Sequence, residues 1–163
     1  MINQASGAGG SGSLADILGP SAAFLPGLVL ALGIGVLIGI ERGWRMREDE
    51  PGSRVAGVRT FTLLGLIGGL AGLQLSGPLA AVTAILAAAA AVTIIIGYFL
   101  DARREGNLSA TSAIAGLITI LLGGIAASGQ MALASVGAGA TVILLASREP
   151  MHRAFARWES RKE

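Results

Sequence analysis

Residues 24–40 read FLPGLVLALGIGVLIGI, and residues 41–59 read ERGWRMREDEPGSRVAGVR. The first stretch is uncharged and the second is crowded with arginine. This contrast repeats along the chain. All twelve Lys and Arg residues fall in three segments: 41–59, 101–107 and the tail from Arg148. Five apolar stretches alternate with or flank them, at about residues 24–40, 60–75, 79–100, 108–127 and 131–147, and none contains Asp, Glu, Lys, Arg or His. If each stretch crosses a bilayer, every basic segment falls on the same side, as the positive-inside rule requires. The expectation is an all-α integral membrane protein with five transmembrane helices, its N-terminus outside and its C-terminus in the cytoplasm.

Composition points the same way. The chain has 163 residues, 53% hydrophobic and 13% charged, where a soluble domain carries about a quarter charged residues. A net charge of +2 gives no footprint for nucleic acid. There is no cysteine and one histidine, His152. That excludes a disulfide frame and a thiolate metal site, and leaves little material for zinc. No metal ligand set and no cofactor is indicated. The expected divisions are a tail over residues 1–23, a five-span membrane domain over 24–147 and an amphipathic cytoplasmic tail over 148–163. Residues 1–23 lack Lys and Arg, unlike the basic start of a signal peptide. A spanning helix needs roughly 20 apolar residues. The second and fifth stretches are short by that measure, so their ends run into the headgroups or thin the bilayer.

Small residues recur at helical spacing. Gly35 and Gly39 lie four apart, as do Gly65 and Gly69, and Gly68 and Gly72. In lipid, helices associate by close backbone contact, which small residues permit. The stripes suit packing within the chain, and one of them suits a homodimer. Polar residues inside the stretches are mild: Gln74, Thr83, Thr93, Tyr98, Thr111, Ser112, Thr119 and Thr141. Carriers that couple ions or protons place ionisable groups at membrane depth, and none is here.

Chemistry is therefore expected at the cytoplasmic end. If the first helix continues past residue 40, Glu41 and Arg45 share a face at i, i+4. Arg42 and Arg45 then sit at a helix C-terminus, where the dipole favours cations, and Trp44 lies in the aromatic belt. Arg59 precedes the second span, where the dipole disfavours a cation, so a carboxylate such as Glu41 or an anion is expected beside it. Arg54, Arg59, Thr60 and the free N–H groups of that helix suit either an ion-pair network or a phosphate or acidic headgroup.

The run Gly39-Ile40-Glu41-Arg42-Gly43-Trp44-Arg45, followed by Arg54-Val55-Ala56-Gly57-Val58-Arg59-Thr60-Phe61, resembles the signature of the MgtC/SapB membrane protein family. It is similar in particular to the N-terminal membrane half of longer bacterial proteins carrying a DUF4010 region. Residues 108–124 resemble the family's fourth span, which opens on a Thr-Thr pair, and residues 147–153 resemble the end of the same unit. The likeness covers about residues 27–153. In many relatives of the longer type a Glu follows the pair. Here the pair is Thr111-Ser112, a possible span-four polar site, and Ala113 follows. The resemblance implies a protein of the bacterial inner membrane linked to magnesium limitation, ion balance or stress survival.

Two functions follow. One is a regulatory or interaction protein whose cytoplasmic motif meets another membrane protein or anionic lipid headgroups. The other is an oligomeric ion transporter or channel subunit. Enzyme chemistry is the weakest reading, because no nucleophile–base pair can be assembled. In the tail, Pro150 suits a first helical turn. Met151, Phe155 and Trp158 recur at i, i+4, i+7, and Arg153, Arg157 and Arg161 every four residues. That pattern predicts a short interfacial helix over about residues 150–158, basic face toward anionic headgroups.

Overall fold

The computed structural model describes residues 19–45, 57–105 and 110–147. The expected interfacial helix and Arg54 lie outside these residues. The described residues are helical, with no strand among them. A 3-10 turn at Gly19–Phe24 leads into α1, Leu25–Arg45. Then come α2, Val58–Leu73, α3, Ala80–Glu105, α4, Thr111–Ala127, and α5, Met131–Ala146. Two segments, Ala22–Trp44 and Ala80–Leu100, are long and apolar enough to cross a membrane; the other three helices are shorter and apolar.

Helix ends follow local chemistry more than the limits of hydrophobicity. The α1 backbone ladder runs five residues past Ile40, because Glu41, Arg42 and Arg45 are good helix formers and cations suit a C-terminal turn. Similarly, α3 extends past Leu100 through Asp101–Glu105. Gly57 starts α2, its carbonyl accepting from the Phe61 N–H at 3.2 Å. The α4–α5 connection is a Schellman cap. Gly129 adopts φ +94°, the Gln130 N–H donates to the Ile125 carbonyl at 3.2 Å, and the Gly129 N–H donates to Ala126 at 3.3 Å. Only glycine enters that region without a Cβ penalty.

Helices α1, α2 and α4 form a central triad, with α5 packed on α1 and α4, and α3 on α2 and α4. The core holds Ala31, Ile34, Ile38, Phe61, Leu64, Ala115, Leu122, Ala126, Ala134 and Ala138. Only Phe61 is a bulky aromatic; the centre is tight because backbones touch. A Cβ at Gly65 would overlap the Ala31 carbonyl oxygen, one at Gly68 the Ile120 carbonyl and one at Gly72 the Gly124 carbonyl. So α2 presents Gly65 and Gly69 to α1, and Gly68 and Gly72 to α4. From α1, Gly35 lies against the Phe61 backbone, and a Cβ at Gly39 would lie 2.8 Å from the Val58 Cα. These glycines all meet neighbours within the same chain. By contrast α3 lies at the margin, packing Ala90 and Ile94 inward, with Ile94 against Gly116.

The contacts make successive helices antiparallel. Gly27, near the start of α1, meets Ala126 and Ala127 at the end of α4, while Gly39, near the end of α1, meets Val58 at the start of α2. The helix ends that adjoin the basic segments in sequence, Arg45, Val58, Glu105, Thr111 and Ala146, therefore lie at one end of the bundle. The turns at the other end, Gln74–Leu79 and Ser128–Gln130, carry no charge.

Candidate functional site

At the charged end, the last turn of α1 meets the first turns of α2 and α4. Arg42 is only 8% exposed. Its Nη2 donates to the Ser112 Oγ at 2.5 Å, joining residues 70 apart in sequence. Helical phase explains the burial: Ala31, Ile34, Gly35, Ile38 and Gly39 are all buried, and Arg42 continues that face at i+3 and i+4 spacing. Glu41 is half-buried beside it. The Oε2 atom of Glu41 and the Nε atom of Arg42 are both enclosed by protein.

The electrostatics divide two ways. Arg42 sits at the C-terminal end of α1, where the dipole favours a cation. It also reaches the N-terminal end of α4, where the dipole does not. No acidic residue lies in the first turn of α2 or α4, and neither helix has a side-chain cap. The Ser112 hydroxyl therefore supplies an acceptor that the arginine meets at that end. A charge-assisted hydrogen bond is roughly twice as strong as a neutral one, and burying a charge without such a partner is expensive. The arrangement can hold the ends of α1 and α4 together and present a polar, partly enclosed surface. Among the described residues no cluster of three His, Cys, Asp or Glu could hold a metal ion.

The other expected site residues are placed as follows. Thr111 opens α4, half-buried beside Ser112. Thr60 is half-buried in the first turn of α2, and Arg59 is exposed there, outside the Arg42–Ser112 contact. Trp44 is 67% exposed at the end of α1, and Arg45 closes that helix. The sequence places Arg42 in the charged motif with Glu41, Arg54 and Arg59, either interlinked or holding an anion, but does not link it to Ser112. The signal was available for half of this: extending the Ala31–Ile38 face by one turn puts Arg42 inside. Nothing in local sequence says which helix faces it. Deeper in the core, Thr119 is fully buried and Thr141 nearly so. Their hydroxyls donate to the Ala115 and Gly137 carbonyls of their own helices, each at 2.7 Å.

Fold and site together define a class: a small bundle, all-helical among the described residues, with an apolar exterior and its arginine-bearing helix ends on one side. A family model described as the MgtC family matches residues 28–154, and the chain belongs to that family. No curated protein and no solved structure matches it significantly. Family membership and the apolar helices together suggest a membrane location.

Proposed function

We propose that this is a five-span protein of the bacterial inner membrane, N-terminus outside and C-terminus cytoplasmic. It acts as a non-catalytic regulatory or interaction protein in magnesium homeostasis and stress adaptation. The charged end is where it meets its partner, another membrane protein or anionic headgroups: Glu41, Arg42 and Ser112 form the ordered floor, Arg59 and Thr60 stand in the adjoining first turn of α2, and Arg45 and Arg54 belong to the same motif in sequence. Family membership supports the link to magnesium. The observation that carries the regulatory reading is the closed centre of the bundle. Helices α1, α2 and α4 touch backbone to backbone through glycine, and the two buried core hydroxyls already donate to their own helices. A carrier needs ionisable groups or a polar path at depth, and the core of the described residues is built of apolar side chains, glycine and two hydroxyls that donate to their own helices.

The test is magnesium entry into liposomes containing the purified protein, read with an entrapped indicator. The expected result is no saturable flux above protein-free vesicles. Saturable flux that disappears with Arg42→Met would overturn the regulatory reading in favour of a transport subunit.

A further inference from the structure

The helices are not all held with equal firmness. Helices α1, α2 and α4 meet backbone to backbone through glycine, which locks them as one unit. Helix α5 buries Ala134, Ala138 and Thr141 and receives the Leu122 side chain over Gly137. Helix α3 is held less. Among its described residues none is buried. Over residues 83–94 its inward stripe is only half-buried and nearly all small: Thr83, Ala87, Ala90 and Ala91 lead to Ile94. Tyr98, also half-buried, follows one turn later. The bulky residues Ile85, Val92, Ile96 and Phe99 are exposed.

Ile94 grips the bundle close to the arginine site. A Cβ at Gly116 would lie 3.0 Å from the Ile94 Cδ1 and 3.3 Å from the Leu64 Cδ1. Ile94 therefore fills the space that a side chain at Gly116 would take, at the seam of α2 and α4. Gly116 stands one turn into α4 from Ser112, which receives Arg42. Beyond this point α3 runs on to Glu105, with Arg103 exposed. At its other end α3 is tied closely to α2. In the Gln74–Leu79 turn the Gly77 N–H donates to the Gln74 carbonyl at 3.0 Å, and the Ala80 N–H donates to the Gly77 carbonyl at 3.1 Å. Toward α4 the tie is longer, since residues 106–110 can span about 17 Å. Elements with few buried apolar contacts are the first to open. In lipid an apolar helix face loses little on leaving its neighbours, because acyl chains replace them.

Resting on the membrane reading above, we propose that α3 is a hinged arm. It tilts as a rigid helix about the Gln74–Leu79 turn, with Ile94 over Gly116 as its catch. Its far end swings toward and away from the arginine site. The 26 residues of α3 make a lever about 39 Å long, so a tilt of about 10° moves the Glu105 end by roughly 7 Å. A few residues at the end of an element are enough to absorb such a motion. The locked triad and the moving arm give the charged end two shapes, and a partner that binds one of them sets the position of α3.

The chain has no cysteine, so nitroxide pairs placed on introduced cysteines test this in lipid nanodiscs, with distances read by double electron–electron resonance. The pair at Ile40 and Arg103 reports the far end of α3 against α1. The pair at Val29 and Val82 reports the hinge end, and the pair at Ile40 and Leu63 reports the locked triad. All of these positions are exposed. The expected result is two populations for Ile40–Arg103, about 5 Å or more apart, and one narrow population for each of the other pairs. Ile94→Ala should raise the ratio of the longer to the shorter population by about tenfold, and Ile94→Val by less should the alanine variant fold poorly. The outward Ile96→Ala should leave the ratio unchanged. A single narrow Ile40–Arg103 distance with and without the Ile94 substitution overturns the proposal. So does an equal shift with Ile96→Ala, or a Val29–Val82 distribution as broad as Ile40–Arg103, which would make α3 loose along its whole length. Two populations reproduced by the Arg103 label alone also overturn it, because those distances come from a second copy of the chain. A nitroxide at Val92 relaxed by an aqueous nickel complex rather than by oxygen removes the membrane reading itself, and the arm with it.

Discussion

Replacing Gly68 by Ala tests whether backbone contact closes the bundle. A Cβ added there overlaps the Ile120 carbonyl oxygen, and would lie 2.8 Å from its carbon and 3.0 Å from its Cα. All three are backbone atoms, so no side chain can rotate away. Carbon contacts settle at about 3.5–4.0 Å, so α4 must retreat by roughly 0.5–1 Å. It cannot do so freely, because Gly72 against Gly124 and Gly123 against Gly65 hold the same pair of helices. Overpacking of this kind costs about 1–3 kcal/mol. Alanine also gains about 0.5–1 kcal/mol over glycine within a helix, so a control is needed. Gly33 is helical too, and a Cβ there meets nothing within 4 Å. The helix-propensity gain is common to Gly33→Ala and Gly68→Ala, so the two variants should differ in stability by about 1–3 kcal/mol, with Gly33→Ala the more stable. Reversible unfolding in mixed micelles, followed by far-ultraviolet circular dichroism, measures that difference. Equal stability of the two variants would refute the reasoning.

A double-mutant cycle with Arg42→Met and Ser112→Ala should give a coupling of about 1.5–3 kcal/mol, the range for a hydrogen bond to a charged group; strict additivity in the same unfolding assay would remove the contact from the argument. Single cysteines at Arg103 and Arg157 should be labelled only from the cytoplasmic side and one at Ser128 only from outside, and labelling of Arg103→Cys by an impermeant reagent in intact cells would invert or break the topology. Arg59→Ala should reduce activity or stability more than Arg47→Ala or Arg103→Ala; equal effects would make all three ordinary anchoring charges.

How much of this was legible in sequence depends on whether a property belongs to a residue or to a pair. Placing a charge in lipid has a cost set by that residue and its depth. The separation of Arg-rich from uncharged segments was therefore enough to delimit five helices and to put all the basic segments at one end. The short second and fifth stretches were visible for the same reason. Boundaries were less legible, because the backbone ladder ignores side-chain polarity: α1 and α3 continue as helices through Arg45 and Glu105, beyond their apolar stretches. Gly35, Gly39, Gly65, Gly69 and Gly72 could be picked out by spacing, but not the carbonyl each one meets. Which arginine turns inward, which hydroxyl receives it, and that α4 ends level with Gly27 rather than with Ala22 depend on the rotation and register of helices far apart in the chain. Those are fixed by backbone fit between helices, a property that exists only once they have packed.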